Sequence, residues 1–241
     1  TRHSYGRTAL LLSGGASMGM YHSGVIKTLW EHNLLPRIIC GSSAGSIAAS
    51  VLCTETYENV GIVIEKELKL GPFEYKHKKS SFLRRVMRYL SRGVLLDVEV
   101  LKEFIRENIG DITFQEAYDK TGFILNITVT GYKEHDNHRL LNYLTAPNVL
   151  IWSASCASSC VPGLFEPVEL MCKNEYGHIV PYSKKKFIDG SISADLPMQR
   201  LSELFNVNIF LVSQTNPWVI PFLDQDSMYL AMKKSVLISG S

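Results

Sequence analysis

The sequence predicts an α/β fold with a mainly parallel central sheet, and three observations carry that expectation. Two short apolar runs, Thr8 to Leu12 and Ile38 to Cys40, each empty into a turn of glycine and serine and then straight into a helical stretch. The segment between them, Met20 to Asn33, has apolar residues at three- and four-residue spacing (Tyr21, Val25, Ile26, Leu29, Trp30), so the order is strand, helix, strand. Such a unit lays its two strands parallel with a helix packed on the sheet. The chain has 241 residues, 46% of them apolar, which is enough for one sizeable core, and a single domain is expected over residues 1–241.

Taken in order, the first strand runs into Ser13-Gly14-Gly15-Ala16-Ser17-Met18-Gly19, and Pro36 closes the connection after the first helix. The second strand runs into Gly41-Ser42-Ser43-Ala44-Gly45 and a helix of small residues. Helical patterns then continue through Gly61 to Leu70, Ser81 to Ser91, and Val98 to Asn108 with Asp97 as a cap. Thr113 with Glu116 forms a capping box for a short helix that ends near Gly122. Phe123 to Tyr132 and Arg139 to Leu144 read as an antiparallel pair. Asn148 to Cys160, built of small residues around Trp152, suits a helix packed tightly beneath a site. Phe165 to Met171 is a strand candidate and Cys172 to Lys186 a polar loop. Lys186 to Ile188 forms a short strand delivering Asp189-Gly190-Ser191. A helix from Pro197 to Phe205 and a strand from Val207 to Ser213 follow. The apolar cluster Trp218 to Leu223 is either a return across the core or a membrane-contacting edge, with the core reading favoured.

The net charge of +2 argues against nucleic acid as a partner. From Lys69 to Arg92, however, eight basic residues face Glu74 alone. A solvated face is the ordinary meaning of such a run; a patch for an anionic membrane surface is the sharper one, with Phe73, Phe82, Met87 and Tyr89 interleaved. The five cysteines (Cys40, Cys53, Cys156, Cys160, Cys172) have no metal-ligand spacing and read as reduced, mostly buried thiols. No metal and no cofactor is expected. No run of eighteen apolar residues occurs. With no initiating Met, the chain is expected to be part of something longer. Asn126-Ile127-Thr128 is formally a glycosylation acceptor, but it falls within a strand.

The chemistry gathers around Ser43. A Gly-x-Ser-x-Gly pattern arises by chance in roughly one chain in ten of this length, but here it stands between a strand and a helix. That bend strains the serine backbone and presents its hydroxyl at the carboxyl end of the sheet. Gly41 and Gly45 let strand and helix approach closely, and the helix start offers free N–H groups and a positive dipole end. A Ser-His-Asp order fails for Asp189, because the last histidine, His178, precedes it. The seven histidines read as surface or capping residues. An Asp acting directly on the serine is the economical base, although Asp189-Gly190 alone reads as an ordinary turn. Gly14, Gly15 and Ala16 can present backbone N–H groups to an oxyanion; a nucleotide-phosphate loop is disfavoured because no Lys-Ser/Thr pair follows.

These three features in this order, with Leu11 to His22, Glu31 to Arg37, Leu141 to Thr145 and Asp195 to Met198, resemble the patatin-like phospholipase and lipase family. Their wording is similar to the fungal and plant branch of intracellular triacylglycerol lipases. The resemblance runs from about residue 5 to 223. It implies a three-layer α/β/α sandwich, Ser43 as nucleophile and Asp189 as base. The N–H groups of Gly15 and Ala16, with Gly14, would form the oxyanion hole, and Gly19, Gly41, Gly45 and Gly190 would be structural. It also implies a triacylglycerol lipase releasing fatty acids on the cytoplasmic face of a lipid droplet or the endoplasmic reticulum, with an acylglycerol substrate and no identified protein partner. Alternatives are a phospholipase A, a lysophospholipase or an acyltransferase on the same dyad, and more distantly a silent lipid-surface scaffold. Many relatives carry a basic residue where Met18 stands, which bears on phosphate-headgroup recognition. They also carry Gly or Ala where Ser191 stands, which should matter little to a backbone turn.

Overall fold

A computed structural model describes residues 6–62, 64, 98–132, 138–189 and 196–215. The basic segment Lys69 to Arg92, the cap Asp97, Gly190 with Ser191, and the apolar cluster from Trp218 onward lie outside the described residues.

Seven strands form one sheet: β1 (Arg7–Leu12), β2 (Ile38–Gly41), β3 (Ile124–Gly131), β4 (His138–Leu141), β5 (Val168–Lys173), β6 (Ile179–Asp189) and β7 (Val207–Ser213). The hydrogen-bonded order is β5-β6-β3-β2-β1-β7, with β4 also paired to β3. β7, β1, β2 and β3 are mutually parallel, and β4, β5 and β6 add antiparallel pairings at one side. The helices are α1 (His22–Glu31), α2 (Ala44–Thr54), α3 (Val98–Ile109), α4 (Phe114–Thr121), α5 (Ile151–Ser159) and α6 (Met198–Phe205).

Alternation along the strands divides the core. Leu10, Leu12 and Ile39 face a large cluster with Ile26, Ala49, Leu52, Ile105 and Trp152, whereas Ala9, Leu11, Ile38 and Cys40 face a smaller one with Leu201 and Phe205 of α6. The sheet is thus covered on both faces, as its apolar parallel strands require.

Local signals hold where they are strong. Thr113 and Glu116 form the expected capping box, and Gly122 ends α4 in the left-handed conformation at φ 69°. Asn126 is fully buried in β3 and accepts from Asn142 Nδ2 at 2.9 Å. All five cysteines are free thiols, four of them buried; burial pushes the Cys40 thiol up to about 12.

Three expectations are corrected. The expected loop Cys172 to Lys186 is mostly strand: β6 is eleven residues long and forms a hairpin with β5. The turn between them is set by Asn174 Oδ1, which accepts from Tyr176 and His178 N–H, and by Gly177 at φ 80°. Most of β6 is solvent-facing and its register with β5 shifts between Glu169 and Met171, so its sequence carries no alternating apolar pattern. The first helix is preceded by a 3-10 stretch, Ala16–Tyr21, that begins inside the glycine turn. Finally, Tyr21 and Val25 are exposed, and α1 buries His22, Ser23 and Ile26 instead.

One feature of β3 positions the site. The Ile124 N–H donates to the Arg37 carbonyl at the start of β2, and the Tyr132 N–H donates to the Lys186 carbonyl of β6. Backbone groups an even number of residues apart point to the same flank of a regular strand, so β2 and β6 share one flank of β3. β2 runs along its first half and β6 along its second. They approach end to end: Gly41 is opposite Ile127 and Asp189 is opposite Val129. Two residues of β3, about 7 Å, separate the two strand ends.

Candidate active site

Ser43 sits in the gap where those strand ends meet. Its backbone has φ 50° and ψ −127°, a left-handed-side conformation that disfavours any residue with a side chain and costs about 1–3 kcal/mol. The surroundings enforce it. The Ser42 N–H donates to the Leu12 carbonyl, the Ser42 hydroxyl accepts from Thr128 Oγ1 at 2.9 Å, and the Ser43 N–H donates to Ser158 Oγ at 2.9 Å. A Cβ on Gly45 would overlap the Leu12 carbonyl oxygen, and one on Gly41 would overlap the Gly45 carbonyl, so the turn closes only with glycine at both positions.

The expectation of free N–H groups at the start of α2 narrows to the Ala44 N–H, which donates to no described residue. The Gly45 and Ser46 N–H groups donate to the Ser42 and Ser43 carbonyls at 2.9 and 2.8 Å, closing the tight turn. Beyond the Ala44 N–H, α2 supplies the positive end of its dipole.

Helix α5 lies beneath, buried along its whole length as its small residues suggest. A helix buried on every side has to satisfy its polar side chains internally, and a seam of serines does this against α2. Ser50 and Ser155 share a hydrogen bond at 2.6 Å, Ser155 Oγ donates to the Ser46 carbonyl, and Ser46 Oγ donates to the Ser43 carbonyl at 2.6 Å. The C-terminal end of α5 then reaches both strand ends. Ser158 holds the Ser43 N–H, and the Cys160 carbonyl accepts from the Asp189 N–H at 3.0 Å. Asp189 is 1% exposed and Ser43 8%. The Cys160 thiol is pushed up by its hydrogen bond with Cys156, by burial, and by the charges of Cys156 and Asp189, so it is a neutral neighbour of the carboxylate.

The glycine loop lies on the other side of the serine turn. A Cβ on Gly19 would come within 2.6 Å of the Ala44 Cβ, which fixes the 3-10 stretch against the start of α2. The loop carbonyls are held from behind. The Ser13 carbonyl accepts from His22 Nε2 at 2.9 Å, and the Gly14 carbonyl accepts from Ser13 Oγ at 2.9 Å and Thr215 Oγ1 at 3.2 Å. Neither the Gly14 nor the Gly15 N–H donates to another described residue, whereas Met18 N–H closes the following turn on the Gly15 carbonyl.

His22 corrects the surface reading of the histidines. It is fully buried, and both ring nitrogens are engaged, with Nδ1 2.8 Å from Ser213 Oγ. Burial pushes its pKa down, partly opposed by the bond to the Ser13 carbonyl. Its signal was available in the sequence: His22 precedes Ile26 by four residues and so shares the buried face of α1. Ser158 had no such signal, since its partner lies 115 residues away.

The structure therefore brings Ser43, Asp189 and the Gly14–Ala16 loop to one end of the sheet. His32 and His178 lie elsewhere, on the C-cap of α1 and at the β5–β6 turn, and His138 on β4 shares a hydrogen bond with Thr130 Oγ1 of β3. Among the described residues no group of three or more His, Cys, Asp or Glu side chains gathers to hold a metal ion, and no helix is long and apolar enough to cross a membrane.

Residues 10–201 match the family described as Patatin-like phospholipase. The chain is 47% identical to triacylglycerol lipase SDP1L of Arabidopsis thaliana over 92% of its length, 45% to triacylglycerol lipase 4 of Saccharomyces cerevisiae over 92%, and 41% to triacylglycerol lipase ptl2 of Schizosaccharomyces pombe over 91%. It spans 29%, 26% and 35% of those relatives' own lengths. Among solved structures it is similar to VipD from Legionella pneumophila, with a TM-score of 0.49 and 14% identity over 86% of this chain and 49% of that one. With four-fifths of its residues inside the family match and a strained serine between its two glycines, the chain belongs to the patatin-like phospholipase family.

Proposed function

We propose that this domain is a serine acyl hydrolase that cleaves triacylglycerol through Ser43 and Asp189, without a histidine. The observation that carries this reading is the end-to-end approach of β2 and β6, which sets Gly41, two residues before the strained Ser43, about 7 Å along β3 from the buried Asp189, with Ser43 and Asp189 both braced by the end of α5. Asp189 takes the proton from the Ser43 hydroxyl as Oγ attacks the ester carbonyl. The N–H groups of Gly14, Gly15 and Ala16 receive the developing oxyanion. The tetrahedral intermediate collapses to acyl-Ser43 and diacylglycerol leaves with the proton. Water, deprotonated by Asp189, then attacks the acyl carbonyl, and fatty acid is released with Ser43 restored. Three triacylglycerol lipases at 41–47% identity support the neutral-lipid substrate. A lipid droplet is the surface on which that substrate is presented, so peripheral attachment there is part of the proposal.

The test is a substrate panel run on wild type and Ser43→Ala. A triolein emulsion should be hydrolysed faster than phosphatidylcholine vesicles, and Ser43→Ala should hydrolyse neither. Preference for phosphatidylcholine would make the domain a phospholipase on the same residues. Hydrolysis surviving in Ser43→Ala would overturn the nucleophile.

A further inference from the structure

Glycine peptides flip readily, because both signs of φ are open to them. A loop of Ser13-Gly14-Gly15 would therefore sample many N–H directions unless its peptide planes were clamped. In a trans peptide the C=O of one residue and the N–H of the next point in opposite directions in one rigid plane. Holding the Ser13 carbonyl thus aims the Gly14 N–H, and holding the Gly14 carbonyl aims the Gly15 N–H. The second plane is clamped by Ser13 Oγ and Thr215 Oγ1. The first is clamped through the His22 ring at 2.9 Å.

The two partners of His22 also determine its tautomer. A carbonyl oxygen only accepts, so Nε2 carries the hydrogen; Nδ1 is then bare and accepts from the Ser213 hydroxyl at 2.8 Å. Ser213 is the last residue of β7, and its carbonyl accepts from the Ser13 N–H at 3.0 Å. One residue of the sheet edge therefore fixes the loop from the Ser13 N–H on one side and, through the imidazole, from the Ser13 carbonyl on the other. The hydrogen bond to the carbonyl also polarises the shared peptide, which strengthens the Gly14 N–H as a donor.

We infer that His22 is a positioning residue: as a neutral Nε2–H imidazole it locks the Ser13–Gly14 peptide plane so that the Gly14 N–H faces the reacting carbonyl oxygen. This rests on the reading of the glycine loop as the oxyanion site. His22 touches no substrate atom and exchanges no proton in the reaction.

The test combines three variants with two readouts. His22→Ala removes the clamp, His22→Gln restores a donor near the Nε2 position, and Ser213→Ala removes the donor that fixes the tautomer. Hydrolysis of a soluble short-chain ester should show kcat lowered about 10- to 100-fold in His22→Ala, with KM within about twofold, as for weakening one oxyanion donor. His22→Gln should recover most of that loss, and Ser213→Ala should fall between. Amide hydrogen exchange at Ser13 and Met18, whose N–H groups are bonded to the Ser213 and Gly15 carbonyls at the two ends of the loop, should be about tenfold faster in His22→Ala, the factor one lost hydrogen bond supplies to loop opening, and 15N spectra of the wild type should show Nε2 protonated and Nδ1 bare. Unchanged exchange in His22→Ala would overturn the clamp while leaving the oxyanion reading of the loop standing. Faster exchange with an unchanged kcat would overturn the role of the loop itself, and the inference with it. If His22→Ala fails to fold, the exchange and kcat of Ser213→Ala decide between the same outcomes.

Discussion

Ser158 and Ser159 are adjacent, chemically identical and both buried, yet replacing each by alanine should have opposite effects. Ser158 Oγ accepts the N–H of Ser43, whereas Ser159 Oγ has no hydrogen-bond partner among the described residues. Ser158→Ala leaves a buried N–H unsatisfied, at about 1–3 kcal/mol, and removes one of the contacts that oppose the strain at φ 50°. In a chain of this size each kcal/mol lowers Tm by about 2–4 °C. Relaxation of the elbow would move the Ser43 hydroxyl, and a shift of about 1 Å costs on the order of 100-fold in rate. Ser159→Ala deletes a hydroxyl buried without a partner, a burden of about 1–3 kcal/mol in mutational data, so it should leave Tm unchanged or raised and the rate intact. Thermal unfolding and the initial rate on a soluble ester measure both. Equal effects in the two variants, or a wild-type rate in Ser158→Ala, would refute the view that α5 braces the serine turn.

Further outcomes follow from single contacts. Gly45→Ala should not give folded protein, because its Cβ meets the backbone of β1, while Gly24→Ala, with nothing within 4 Å on exposed α1, should stabilise by about 0.5–1 kcal/mol; expression and urea unfolding report both. His22 is held neutral in the fold with its pKa below the ordinary 6.5, so the unfolded chain takes up a proton that the folded one refuses. Its contribution to stability is complete above about pH 6.5 and declines as the pH falls below it. The urea midpoint should drop between pH 7.5 and 5.5 more steeply in wild type than in His22→Gln, and parallel slopes would contradict the sign. Thr113→Ala should cost about 1 kcal/mol through loss of the capping box on α4, measured the same way.

The parts of the site that were legible in the sequence are those determined within a few residues. The turn Gly41 to Gly45 shows both its glycines and its serine because the close approach of β1, β2 and α2 is local to that turn. The capping box and the small-residue helix α5 are likewise written in consecutive residues. β6 was legible only at its end, where Phe187 is buried; its remaining length is solvent-facing and held by hairpin pairing with β5, which leaves no apolar rhythm. The clamp on the glycine loop joins residues about 200 positions apart, Thr215 to Ser13 and Gly14, and His22 to Ser213. No local pattern encodes such pairs. The apolar spacing groups Tyr21 and Val25 with Ile26, yet the buried face of α1 turns toward His22 and Ile26 and leaves Tyr21 and Val25 exposed, so the apolar residues alone hide the burial of His22.

The central claim is that Asp189 acts on Ser43 directly. It is tested most directly by the rate at which a fluorophosphonate labels Ser43 in wild type and in Asp189→Asn, read by peptide mass. Asn keeps the backbone N–H that donates to the Cys160 carbonyl, so the site should remain assembled while the base is lost. Labelling at Ser43 should slow by about 10²–10⁴-fold, the range general-base catalysis supplies. Labelling of Ser43 in Asp189→Asn at the wild-type rate would contradict the claim.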